Sequence, residues 1–384
     1  MRTVCAKDKC AGCMACIDIC PHDAIVIKDD LSSYNAVIDE KQCINCNACY
    51  RVCQRNNNPD LIQPLHWYQG WTENMDVRKS SSSGGVAQEI EKGFIESGGI
   101  VISCFFNRGE FCFKGIEKIE DLKQFAGSKY VKSNPKNAYK NIVECLKNGK
   151  KVLFVGLPCQ VAAVKKYVPE TLVDNLYTID LICHGTPSPQ ILEIYLKQYG
   201  YSLKEINTIS FRKKNKFQVI PDYKPVESVS GICDHYSTAF LNAICYTENC
   251  YECTYARQER VGDISLGDSW GSNQEQAEIN RGISLILCQT QKGKKMLDEG
   301  EIHLENVDIN NAIEHNQQLR EPVAKPQGRD RFLIRLKNGE QFNSIVRYYF
   351  PWICVKQYIK KYLIKAHILR GGGAMSYSIF IKHI

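Results

Sequence analysis

The sequence predicts an α+β protein. A small double-cluster iron–sulfur unit comes first, followed by a larger α/β region with a mixed, partly parallel sheet. Three observations predict this. The run Cys10-x-x-Cys13-x-x-Cys16-x-x-x-Cys20-Pro21 recurs as Cys43-x-x-Cys46-x-x-Cys49-x-x-x-Cys53. Two apolar strands, Lys151–Gly156 and Tyr177–Ile182, flank a helical stretch, Val161–Tyr167, the order of a parallel pair with a crossover helix. A further strand within Val261–Gly271 ends in a Gly-Asp loop, just after Cys250-x-x-Cys253.

The doubled run has the spacing of a bacterial two-cluster ferredoxin, and iron chemistry explains it. A four-iron cluster needs four soft thiolates; a tight loop supplies three, and the fourth comes from the other run. The expected sets are Cys10, Cys13, Cys16 and Cys53, and Cys43, Cys46, Cys49 and Cys20. Zinc also uses Cys-x-x-Cys but does not need this rhythm. A disulfide framework suits small secreted domains, whereas Met1–Cys10 carries no apolar signal segment. Gln54 stands where proline normally follows the fourth cysteine. Cys5 has no place in the pattern and reads as a bystander. Short strands, Ala24–Ile27 and Ala36–Ile38, lie between the loops, and Asn56-Asn57-Asn58-Pro59 closes a unit spanning 1–57.

With 384 residues there is room for two or three domains. Twenty cysteines without a signal segment imply a reducing compartment, hence a cytoplasmic location, with thiols kept for metals. No run of apolar residues is long enough to span a membrane. From Gln341 onward there is no acidic residue, while Arg347, Lys356, Lys360, Lys361, Lys365, Arg370 and Lys382 account for the whole net charge of +7. The first 340 residues are therefore neutral, and nothing in them points to nucleic acid.

The second region begins near Trp67. Ser81-Ser82-Ser83-Gly84-Gly85 opens an amphipathic helix with Val86, Ile90 and Phe94 on one face, closed by Gly98-Gly99 before the strand Ile100–Phe105. Such a turn either holds an anion on its free N–H groups or is an ordinary helix start. Leu157-Pro158-Cys159 reads as the exit loop of the first parallel strand, and Cys183-His184-Gly185 follows the second. Cys159 and Cys183 thus emerge together at the carboxyl edge, where open α/β sheets bind ligands. With Cys250 and Cys253 they make four thiols; a metal site and simple buried cysteines both remain open at this point. Cys104, Cys112, Cys145, Cys233, Cys245, Cys288 and Cys354 lack rhythmic partners and read as structural. No G-x-G-x-x-G fingerprint occurs, and Gly371-Gly372-Gly373 reads as a linker.

SSSGGV at Ser81–Val86, GSKYVKS at Gly127–Ser133, GLPCQ at Gly156–Gln160, DLICHGTPSP at Asp180–Pro189, CYEC at Cys250–Cys253 and GDISLGDSWG at Gly262–Gly271 share an order. It resembles that of the beta subunits of coenzyme F420-reducing hydrogenase and F420-dependent formate dehydrogenase. With the amino-terminal double ferredoxin, the chain is also similar to single-chain F420-oxidising proteins of archaea and plant hydroxymethyl chlorophyll reductases. The resemblance covers about residues 5 to 320. It implies an amino-terminal family region over 67–150, a carboxy-terminal one over 151–325, and a flavoprotein binding FAD. By motif position Ser82, Ser83, Gly84, Gly85, Lys129, Tyr130 and Ser133 would line the flavin. Cys159, Cys183, Cys250 and Cys253 would hold a third [4Fe-4S] cluster. His184, Asp268 and Trp270 would lie at the flavin edge, with His184 and Asp268 as catalytic residues; His184 either donates a proton there or is merely structural.

The implied function is an iron–sulfur flavoprotein oxidoreductase, exchanging electrons between clusters and an organic substrate, coenzyme F420 or another, and with a redox protein partner. The alternatives are a non-catalytic electron-transfer subunit relaying electrons to an enzyme, and a zinc-based binding module. The segment 341–384 departs from the family. Pro351 starts a helix with Trp352, Val355, Ile359, Tyr362, Leu363 and Ala366 on one side and Lys356, Lys360 and Lys365 on another. That pattern fits peripheral contact with the inner face of the membrane, a partner, or packing on the body.

Overall fold

In the computed structural model the chain is described over residues 2–227, 229 and 231–368. Arg370, Gly371-Gly372-Gly373 and Lys382 lie outside the described residues.

The amino-terminal unit is built on a two-stranded antiparallel hairpin, β1 (Ile25–Asp29) and β2 (Tyr34–Ile38), with Ile25 opposite Ile38 and Asp29 opposite Tyr34. Each cysteine loop runs into a short helix, Ala15–Asp18 or Ala48–Val52.

An eight-stranded sheet dominates the rest. Its strands are β3 (His66–Thr72), β4 (Ile100–Asn107), β5 (Glu110–Ile116), β6 (Val152–Gly156), β7 (Leu176–Leu181), β10 (Ile264–Asp268), β11 (Ser284–Cys288) and β12 (Ile302–Asn306), in the spatial order β12-β3-β11-β10-β7-β6-β4-β5. The four inner strands β10, β7, β6 and β4 run parallel, and the flanking pairs are antiparallel. Sequence patterning explains this split. β6 and β11 are buried at every position, as strands covered on both faces must be. The edge strand β5 shows alternation instead. A separate hairpin, β8 (Ile209–Lys213) and β9 (Lys216–Pro221), stands apart from the sheet.

Two expectations need correction. Cys159 is not in an exit loop: the helix begins at Pro158 and runs to Tyr167, because proline suits the first helical turn. The segment from Gln341 onward is not uniform. Phe342–Tyr349 is a helix whose Phe342, Ile345 and Val346 are fully buried, whereas the next helix, Pro351–Lys365, has no buried residue. The expected apolar face of that helix meets water: Trp352 is 83% exposed, and Val355, Ile359 and Tyr362 are also exposed.

The amino-terminal unit does not hang from the body. Its cysteines share one apolar core with Tyr139, Phe154, Val161 and Val164. Asp18, buried, accepts the backbone N–H groups of Asn137 (2.8 Å) and Tyr139 (3.2 Å), and Ser188 donates to Asp29 (2.5 Å).

Candidate functional site

The two cysteine loops fold alike. Gly12 and Met14 in the first, and Asn45 and Asn47 in the second, all have positive φ at equivalent positions. Glycine and asparagine tolerate that region best. In both loops the backbone N–H two residues on donates to the first cysteine: Gly12 to Cys10 Sγ and Asn45 to Cys43 Sγ, each at 3.4 Å. Such N–H···S contacts orient thiolates and favour their charged form.

The fourth cysteines cross between loops. Cys20 lines one cavity with Cys43, Cys46 and Cys49. Cys53 lies within electrostatic reach of Cys10, Cys13 and Cys16. The latter set is buried against the body, while Cys46 is exposed. Cys5 is more than a bystander in position, since its thiol lies against Cys10 and Cys53.

Cys159, Cys183, Cys250 and Cys253, the third set, line one cavity that is partly open to solvent. The folding of the loops explains the convergence. Arg260, buried, pairs with Asp180 at the end of β7, donates to the carbonyls of Tyr255 (2.8 Å) and Leu181 (3.1 Å), and so ties the Cys253 loop to the strand that leads to Cys183. Asp180 also accepts the Gly262 N–H at 2.8 Å. Gly185 permits a close approach: a Cβ there would come within 2.3 Å of the Tyr246 ring. Burial pushes the Cys159 thiol up to about 12, so binding a metal must displace its proton.

The donor set fits an iron–sulfur cube. Among the described residues no group of three His, Cys, Asp or Glu side chains is gathered closely enough to hold a single ion. A cube instead takes each thiolate at a separate iron and presents sulfides as acceptors. Gln54 Nε2 and Thr254 Oγ1, both lining the cavity, are buried without a hydrogen-bond partner, as donors aimed at an acceptor would be. Thr247 Oγ1 lies 3.6 Å from Cys250 Sγ. The departure at Gln54 has a structural reason as well: Tyr255 donates its hydroxyl to Gln54 Oε1, joining the amino-terminal unit to the Cys250–Cys253 loop.

His184 lines the same cavity, and beyond it lies a polar cluster at the carboxyl edge of the sheet. Asp268 ends β10 and accepts a two-pronged bond from Arg212 on β8, at 2.6 and 2.8 Å. Arg212 also donates to the Tyr130 hydroxyl (3.3 Å) and lies 5.5 Å from the Trp270 ring centre. Tyr130 stacks on Phe240 and Phe217 at 4.4 and 5.7 Å. Asp268 thus orients a cation and is no free base.

His184 differs from expectation. Surrounding protein lowers its pKa to about 4; Asp268 opposes this and Arg212 adds to it. His184 is exposed at the edge of the cavity. A lowered pKa favours the neutral imidazole.

The motif residues expected at a flavin converge on this edge, yet most of their polar groups already have partners. Ser83 Oγ donates to Ile283 O (2.8 Å), Ser82 Oγ accepts from Ser128 N (2.9 Å), and Ser133 Oγ accepts from Gln160 (2.9 Å). Lys129, half-buried, caps the carbonyls of Phe125, Ala126 and Gly127. The Gly84 N–H donates to Ser284 Oγ, and a Cβ at Gly84 would fall 2.5 Å from the Gly70 carbonyl. At Gly85, with φ +84°, a Cβ would strike Thr72 at 2.6 Å. Close approach to β3 and β11 therefore accounts for both glycines without an anion. Lys214, between β8 and β9, donates to the carbonyls of Arg78 and Ser83 (2.8 Å to the latter) and holds the serine loop down.

Sequence reasoning missed Arg212, Lys214, Arg260 and Lys132. Lys132 lay within the GSKYVKS stretch without standing out, and the polar turn Lys213–Lys216 between two apolar alternations marks a hairpin but not its partners.

Residues 149–310 match the family model for the C terminus of the coenzyme F420 hydrogenase/dehydrogenase beta subunit, and residues 9–57 match a 4Fe-4S dicluster domain. The F subunit of the F(420)H(2) dehydrogenase of Methanosarcina mazei is 25% identical over 328 residues, 76% of this chain and 82% of its own. The coenzyme F420-dependent sulfite reductase of Methanocaldococcus jannaschii is 25% identical over 372 residues, 89% of this chain; the chain spans only 52% of that protein. A chain of the F420-reducing [NiFe] hydrogenase complex from Methanosarcina barkeri superposes with a TM-score of 0.47 and 19% identity, over 70% of this chain and 98% of its own.

Proposed function

We propose that this chain, similar to coenzyme F420 hydrogenase/dehydrogenase beta subunits, is a flavin-dependent iron–sulfur oxidoreductase whose thiol sets form one line from surface to sheet edge. The order of the sets carries this reading. Cys20, Cys43, Cys46 and Cys49 are outermost; Cys10, Cys13, Cys16 and Cys53 are buried against the body; Cys159, Cys183, Cys250 and Cys253 surround the cavity that also holds His184. Bound clusters supply single-electron transfer and a flavin two-electron exchange with an organic substrate such as coenzyme F420. The chain's part is positional. Gln54 and Thr254 offer N–H and O–H groups to the innermost cluster. Arg212 presents a fixed positive charge beside Asp268, suited to an anionic ring or substrate. Neutral His184 can donate or accept one hydrogen bond there.

One observation favours a second reading. Ser82, Ser83, Lys129 and Ser133 already have protein partners, which suits a relay protein that passes electrons on without a flavin of its own. Anaerobic purification followed by flavin extraction separates the two. The first reading expects about one FAD per chain and bleaching by reduced coenzyme F420. Flavin-free protein whose clusters, reduced by dithionite that is then removed, pass electrons on to an added acceptor dye would establish the relay.

On the first reading the chain works in a reducing cytoplasm, with the Pro351–Lys365 helix lying against an anionic membrane surface. Its exposed Trp352, Val355, Tyr358, Ile359 and Tyr362 are flanked by lysines and no acid. Among the described residues no helix is long and apolar enough to cross a membrane.

A further inference from the structure

Lys132 is buried, at 5% exposure, between the first cysteine loop and the body cavity. Its Nζ donates to the Ala11 carbonyl at 3.1 Å and lies 5.3 Å from the centre of the Tyr34 ring. Its stem crosses Gly12, where a Cβ would come within 3.0 Å of Cδ. Among the described residues no carboxylate pairs with it. A buried ammonium held only by a carbonyl and an aromatic face needs negative charge nearby. The groups on its two sides are thiols. Its Nζ is held at the carbonyl next to Cys10 of one set, and its side chain lines the cavity of the other set together with Cys159.

We propose that Lys132 is a positioning residue shared by two clusters, a fixed positive charge that raises the reduction potential of both and ties the Cys10 loop to the Cys159 site. The inference rests on the cluster sets read above. Reducing a four-thiolate cluster adds one electron to a group that is already anionic, and a cation in a low-dielectric gap favours the reduced form. One lysine between two such groups raises them together, so the step from one to the other stays nearly level. The Cys20, Cys43, Cys46 and Cys49 set is more exposed, and Lys132 does not line its cavity.

Anaerobic reductive titration of the full chain, followed by electron paramagnetic resonance, tests this. Iron and cluster content of the unmodified protein come first; absence of a body cluster would overturn the set assignment itself before any potential is read. With all clusters present, Lys132→Met should lower the two inner potentials by a tenfold change in the reduction equilibrium, about 59 mV each, and leave the outer cluster unmoved. Lys132→Arg should keep both near their original values. Inner potentials unmoved in Lys132→Met, equal movement of every cluster, or the same shift in the Arg variant would each overturn the proposal while leaving the assignment intact. If Lys132→Met fails to assemble clusters, Lys132→Arg decides: assembly supports the role of charge, and equal failure refutes it.

Discussion

Gly12 does two jobs that no other residue can do together. It takes a left-handed conformation, φ +71°, and leaves room for Tyr34, whose ring would lie 2.8 Å from a Cβ. Asn45 meets the first demand in the second loop, where no comparable neighbour crowds it. Gly12→Ala should therefore destabilise by about 1–3 kcal/mol and release iron from the first loop, while Asn45→Gly should be close to neutral; thermal melts and iron content read both. Gln54 makes a different kind of prediction. Gln54→Leu removes the acceptor for Tyr255 and the unpartnered Nε2 donor, at a cost of about 1–3 kcal/mol. It should also shift the visible spectrum of the body cluster but not that of the outermost cluster, on Cys43, Cys46, Cys49 and Cys20. The two loop motifs were legible at this scale because their spacing is a local property, whereas Cys159, Cys183, Cys250 and Cys253 were grouped by the family resemblance and not by spacing. Lys132, Arg260 and Arg212 were not legible, since each acts on a partner far away in the chain, and one lysine or arginine looks like another until the fold brings its partner near.

At the scale of elements, strands and the main helices followed from apolar runs and glycine or proline punctuation, and the sheet's parallel centre from the strand–helix–strand order. The β8–β9 hairpin was not placed, because its role depends on Arg212 and Lys214 reaching over the sheet edge. Nor could periodicity say which face of the Pro351–Lys365 helix would be covered. That helix starts beside a titrating contact. His235 on the His235–Leu241 helix shares Nδ1 with Glu227 at 2.5 Å, and Cys354 of the Pro351–Lys365 helix lies near enough to act on it. Burial alone would lower its pKa, but Cys354 and Glu227 outweigh burial and raise it to about 9. A histidine raised on folding stabilises fully below its ordinary value of about 6.5 and loses this as pH rises through about 9. Melting temperature should therefore fall by a few degrees between those limits, and His235→Gln should flatten the fall. A chain truncated after Phe350 should keep its fold and iron but lose salt-sensitive binding to phosphatidylglycerol vesicles. Equal binding of the truncated chain would remove the membrane role.

At the scale of the whole molecule the cysteine loops and the sheet share one core, so the amino-terminal unit is part of the body. Residues 1–57 look detachable in sequence, because a self-contained motif ends in a polar linker, and burial across the junction leaves no mark on local spacing. Deleting 1–57 should expose Tyr139, Phe154 and Val161 and give aggregated protein. The central claim is that a third thiol set lies inward of the two loops. Iron counted per folded chain in Cys183→Ser, with Mössbauer spectra under anaerobic conditions, tests it most directly. The account predicts a fall from about twelve irons to about eight, with both loop clusters intact. Unmodified protein with about eight irons, unchanged by Cys183→Ser, would contradict it.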